Sequence, residues 1–198
     1  MSSQDQRNAV TISDPPFVIS LLNNTRWAWL WLVIRLYVGY SWLTSGWSKI
    51  DNPGWVQSGT ALKGYWERAV TIPDAPARPA IAFDWYRGFL QTLLDNGAYT
   101  WFAKLIVAGE LLIGVALILG VFVGIAAFAG GFMNWNFMMA GSASINPVLF
   151  TLSIVLILAW KTAGWWGLDR WLLPRLGTPW RPAYSSVQVN KDDKEFLQ

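Results

Sequence analysis

From Trp101 to Ala140 the chain runs for some forty residues with Lys104, Glu110, Asn134 and Asn136 as the only charged or amide side chains. A single helix of that length would reach about 60 Å, twice the thickness of a bilayer's hydrocarbon core at ~30 Å. The stretch therefore divides into two antiparallel helices, about 101–120 and 122–140, joined by a tight turn. Two further apolar stretches flank it. WAWLWLVIRLYVGYSWLTSGWSKI covers 27–50, and the segment 148–165 follows GSASINP, whose Asn-Pro signals a turn and a helix start. The expected fold is all-α, an integral membrane four-helix bundle spanning 26–166.

Composition narrows the chemistry. Hydrophobic residues make up 54% and charged residues 14%, against about a quarter charged in soluble domains. There is no cysteine and no histidine, so thiolate or imidazole metal sites, axially ligated haem and a Ser-His triad are excluded, and no metal or haem is expected on this chain. A formal charge of +3 with scattered basic residues does not form the stripe that nucleic acid requires. Fifteen tryptophans suit a lipid bilayer partner, because indole is enriched where hydrocarbon meets water.

Residues 51–100 are too long for a structureless loop, and GTALKGYWERAV and AFDWYRGFLQTLLDN read as amphipathic interfacial helices separated by IPDAPARPA. Residues 1–25 form a polar N-terminal segment. Its apolar patch, Phe17 to Leu22, is too short for a signal peptide, so the N-terminus is expected to be retained. Residues 167–183 read as an interfacial segment with a short helix ended by Pro174, and 184–198 as a disordered tail. Four spans place both termini on one side. Eight Lys and Arg residues lie on that side and six on the other, which favours cytoplasmic termini in a cell membrane.

Arg35 and Glu110 fall inside the first and second spans. An isolated charge there costs several kcal/mol, so the two are expected to pair or to share a polar cavity. Such a pair either fixes helix register or faces a ligand. Arg35, Gly39, Trp42, Gly46 and Lys49 step by four and three along one helix face, and the glycines admit a neighbouring helix or a ligand. Gly120, Gly124, Ala127, Gly131 and Asn134 make a similar stripe. Asn136 points nearly opposite to Asn134. Tyr40, Trp42, Trp47 and Trp135 cluster toward the outer half, where flat aromatic surfaces suit a quinone ring or an interface anchor.

RLYVGYSWLTSGWSKI, GELLIGVALILG, FMNWNFMMAGSASINP and AGWWGLDRWLLPRLG, in this order, resemble the DoxX family of four-helix membrane proteins. The similarity is greatest to its DoxD-like branch, the large subunit of thiosulfate:quinone oxidoreductase. The resemblance implies a bacterial or archaeal cytoplasmic-membrane protein with quinone as substrate and a second protein subunit or larger complex as partner. It carries the family's intramembrane Arg and first-span Lys onto Arg35 and Lys49, its second-span Glu onto Glu110, and its Gly-Leu-Asp onto Gly167, Leu168 and Asp169. The implied activity is an oxidoreductase subunit coupling thiosulfate oxidation to quinone reduction. Arg35 and Glu110 would be catalytic, and Lys49, Asn134, Ser142 and Ser144 would bind the anion through charge-assisted and neutral hydrogen bonds. The alternative is a non-catalytic membrane subunit that anchors or seals a larger redox or photosynthetic complex.

Overall fold

The computed structural model describes residues 13–178; the tail assigned to 184–198 lies outside the described residues. The described residues form helices and turns with no strand. Four long helices make the body: α2 (Ala28–Ile50), α6 (Tyr99–Leu119), α7 (Val123–Met139) and α8 (Asn146–Leu158). Around them lie α1 (Pro16–Asn23), α3 (Pro53–Val56), α4 (Thr60–Val70), α5 (Asp84–Asp95), α9 (Trp160–Ala163) and α10 (Asp169–Arg175). Both segments of the long loop expected to be helical become helices, α4 and α5. The apolar patch at Phe17 to Leu22 forms α1, which sequence reading did not expect.

Small residues decide which helices touch. A Cβ on Gly39 would sit 3.0 Å from Leu117 Cβ, one on Gly46 2.9 Å from Leu111 Cγ, and one on Gly114 2.6 Å from the Leu43 backbone nitrogen. The glycine stripe of α2 is thus its seam with α6, where the backbones approach closely. The second stripe joins α7 to the last part of the bundle, with Gly124 against Trp160 and Gly131 against Ser153. Beyond their shared turn, α6 and α7 touch far less than either touches its other neighbour. Their splayed ends are filled by α4 and α5, which build a second core around Leu62, Trp66, Tyr86 and Leu90.

The outward faces are apolar. Val33, Tyr40 and Trp47 of α2, Leu105 and Leu112 of α6, Ile125 and Phe128 of α7, and Val148 and Leu158 of α8 are all exposed. Together they make an apolar belt, and exposed apolar surface of this kind marks contact with lipid or with another protein. Among the described residues one helix, α6, is long and apolar enough to cross a membrane by length and composition; α8 is apolar but shorter.

Two expected boundaries are corrected. The stretch 148–165 is not one helix: α8 ends at Leu158 and α9 restarts at Trp160. The chain turns there because the Thr162 hydroxyl donates to Leu22 O at 2.8 Å, drawing α9 onto α1. Pro174 lies inside α10 and does not end it. Near the end of so short a helix the proline removes a single hydrogen bond, so it is tolerated. The helix stops at Gly177, whose φ of +73° closes it.

Candidate functional site

The two expected intramembrane charges do not meet. Arg35 Nη1 donates to Leu117 O at 2.8 Å and Ile118 O at 3.1 Å, and Nη2 donates to Trp166 O at 2.8 Å. Its guanidinium therefore occupies the C-terminus of α6, where helical carbonyls lack intrahelical donors and the helix dipole favours a cation. Sequence reading had set Arg35 level with Glu110. The α2–α6 register is slid by about three turns, roughly 17 Å, because the Gly39, Gly46 and Gly114 contacts choose it.

Around Arg35 the chain forms a clamp. The α6–α7 turn passes through Gly120, with φ +70°, and Phe122, with φ +45°. A Cβ on Gly120 would collide with Arg35 Nη1, so only glycine lets the guanidinium in. Beyond the turn the buried Asp169 carboxylate accepts from Phe122 N at 2.6 Å and Val123 N at 2.9 Å, capping α7. Leu168 N and Asp169 N bond back to Leu119 O and Gly120 O at 3.1 and 2.8 Å. Burial pushes the Asp169 carboxyl up from its ordinary range, opposed by the Val123 and Phe122 N–H groups and by the Arg35 charge. The Gly-Leu-Asp segment thus ties one end of the bundle together.

Glu110 has another partner. Lys49 Nζ lies 3.0 and 2.8 Å from its two oxygens, and Ser45 Oγ donates to Oε1 at 3.2 Å. Lys49 also donates to Ser45 O at 3.1 Å and stands 5.2 Å from the Trp55 ring centroid. The pair is buried on the Glu110 side and 17% exposed on the Lys49 side. Neither Arg35 nor Lys49 is a cation without a partner.

A cavity of about 490 Å³ lies where α6 and α7 splay, roofed by α4 and α5. Its walls include Phe89, Leu90, Ile106, Leu112, Phe132 and Met133, and none of its lining residues is charged. Leu112 and Phe132 line it and are themselves 70% and 56% exposed, so the cavity opens sideways onto the apolar belt. One end carries polar groups. Tyr86 Oη reaches Asn136 O and Oδ1 at 3.0 and 3.2 Å, and Tyr65 Oη donates to Phe137 O at 3.3 Å. Burial pushes both phenols up, Tyr86 to about 12 with the neighbouring Tyr65 adding to the effect. At neutral pH both are protonated donors at the end of an apolar chamber.

The aromatic residues expected to hold a quinone are not gathered there. Tyr40 and Trp47 point outward at 65% and 66% exposure, while Trp42 is buried on the opposite face of α2. Trp135 alone approaches the chamber, edge-on to Tyr86 at 6.3 Å and beside Phe132 at 6.1 Å. The expected four-residue aromatic site is therefore corrected: residues shared between inward and outward faces of one helix cannot converge. Of the anion-binding set, Asn134 is buried in the bundle core and Ser144 is exposed in the α7–α8 turn. Ser142 lies in the same turn, its carbonyl and hydroxyl oxygens accepting from Asn146 Nδ2 at 3.0 and 3.4 Å. The divergence of Asn134 and Asn136 is as expected, with Asn136 at the chamber. Tyr65 and Tyr86 were missed. Their signal was a phenol on the apolar face of an amphipathic helix, as Tyr86 shares its face with Leu90 and Leu93.

No curated protein and no solved structure gives a match to this chain. One family model, DoxX, matches residues 30–141, which take in nearly all of α2 and everything through the end of α7. With more than half of its length covered, the chain belongs to the DoxX family, a family of membrane proteins.

Proposed function

We propose that the chain is a multi-pass bundle with cytoplasmic termini, formed by α2, α6, α7 and α8 with α9, and that its chamber receives a neutral, lipid-soluble ligand directly from the bilayer. The single observation that supports this most is the uncharged chamber with an apolar side opening and phenol donors at one end. Apolar walls with a few placed polar groups are the usual form of a small-molecule site. A quinone fits the description: its ring and tail take the walls, and its carbonyl oxygens accept from Tyr65 or Tyr86 when either phenol turns its single O–H from the carbonyl it now serves. On this reading the protein is the membrane subunit of a quinone-linked oxidoreductase, accompanied by a second subunit.

The finer proposal, thiosulfate as electron donor, follows the family resemblance. Two thiosulfate ions join through a new S–S bond to give tetrathionate, and the two electrons released, with two protons, reduce quinone to quinol. A dianion needs a cation, and Arg35 is enclosed by carbonyls. Lys49, the more exposed of the two, would have to exchange Glu110 for the anion. The chamber is tested by extracting lipids from protein purified in native nanodiscs. Quinone enriched over the surrounding membrane, and lost when Ala129→Phe fills the chamber, is the expected result; equal quinone content in both proteins refutes the reading. Thiosulfate-dependent quinone reduction in membranes carrying the chain tests the sulfur half separately.

A further inference from the structure

Three side chains in the middle of the bundle carry polar atoms that no protein group satisfies. Trp42 of α2, Asn134 of α7 and Ser153 of α8 are 2%, 0% and 0% exposed. Trp42 Nε1, both amide atoms of Asn134 and Ser153 Oγ have no hydrogen-bond partner among the described residues. They converge on one turn of α7. A Cβ on Gly130 would lie 2.9 Å from Trp42 Nε1, and one on Gly131 would lie 3.3 Å from Ser153 Cβ. These glycines are adjacent, so indole and hydroxyl flank the same turn. Asn134 follows them by four and three residues, and helical side chains lean toward the helix N-terminus, which carries its amide back over that turn.

The neighbours Ile113, Ala127 and Leu149 are apolar, and buried polar groups in folded proteins almost always have partners. The available chemistry is specific. The indole only donates, the amide donates and accepts, and the hydroxyl does both. None of them is charged, and the charges elsewhere on α2 are engaged, Arg35 with carbonyls and Lys49 with Glu110. An anion would find no compensating cation, and an apolar molecule would leave four polar atoms unsatisfied.

We infer that these three residues form a binding site for a water-sized neutral molecule that both donates and accepts hydrogen bonds, with water itself as the resting occupant. Gly130 and Gly131 let the indole and the serine come against the α7 backbone, because a side chain at either would crowd them away. The occupant links α2, α7 and α8 at a level where their other contacts are apolar, and so selects one rotational setting of the three helices. This site is separate from the chamber and stands whether or not a quinone binds there.

The test uses full-length protein in lipid nanodiscs with nitrogen-15 tryptophan, the Trp42 indole resonance being identified by its loss in Trp42→Phe. The expected result is a magnetisation-transfer cross-peak between the Trp42 indole proton and a long-lived water. Ser153→Ala, and independently Asn134→Leu, should abolish it, so that failure of one variant to fold leaves the other to decide. An indole proton observed without a water cross-peak, or a cross-peak that survives both substitutions, would overturn the inference.

Discussion

The two ends of this molecule use polar groups in opposite ways. At the end formed by the α6–α7 turn, the charged groups are closed in by backbone: Arg35 holds three carbonyls and Asp169 holds two backbone N–H groups. At the other end, α6 and α7 part around an uncharged chamber whose phenols line one side. The contrast teaches that a buried charge is not by itself a sign of chemistry. Arg35 acts as a helix cap that reaches across the bundle, and the uncharged chamber is where there is room.

The largest effect that would sharpen the contrast is at the clamp. Arg35→Ala or Asp169→Ala removes one side of a buried polar set, and each should cost about 3–5 kcal/mol, read as a lower melting temperature or lost folded protein in detergent. An unchanged melting temperature in either variant would break the comparison. Next comes Glu110→Gln, which removes the ion pair but leaves Lys49 bonded to Ser45; about 1–3 kcal/mol is expected from the same melting measurement. At the chamber, Ala129→Phe should lower quinone occupancy by about tenfold, some 1.4 kcal/mol, with little change in melting temperature. Equal sensitivity of binding and stability would show that the two ends are not separable.

The smallest effect concerns Tyr86. Tyr86→Phe should cost about 0.5–1.5 kcal/mol by removing the bond to Asn136. The wild-type phenol, pushed up to about 12, sits above an unfolded value of about 10. Between those values the folded protein holds a proton that the unfolded chain releases, so this contribution is complete below the unfolded value and is lost as pH rises toward the folded one. Tyrosinate absorbance should show late-titrating phenols, one fewer in Tyr86→Phe, and the melting temperature should fall over the same interval.

Much of the helical layout was legible before any coordinates. Apolar runs marked the helices at 28–50, 99–119 and 123–139, and step-of-four glycines marked the seams between them. The break at Ala159 was not visible, because no residue there resists a helix and the bond from Thr162 to Leu22 makes the turn. The site was less legible. Arg35 and Glu110 were correctly singled out as buried, yet their partners were not, since an apolar helix can slide by a turn without changing its pattern. Tyr40, Trp42 and Trp47 are close in sequence but occupy opposed faces, which position in the helix implied and the assumption of a shared site overrode.

Taken alone, the order of residues determined the all-α class, the absence of thiolate and imidazole chemistry, and the places where backbones can approach, because these depend on composition and on local spacing. Only the tertiary structure decided which carbonyls receive Arg35, that Lys49 takes Glu110, and that α6 and α7 part to leave a chamber. Those outcomes depend on the relative sliding and splaying of helices. Contacts between residues far apart in the chain set both, and local patterning carries almost no information about either.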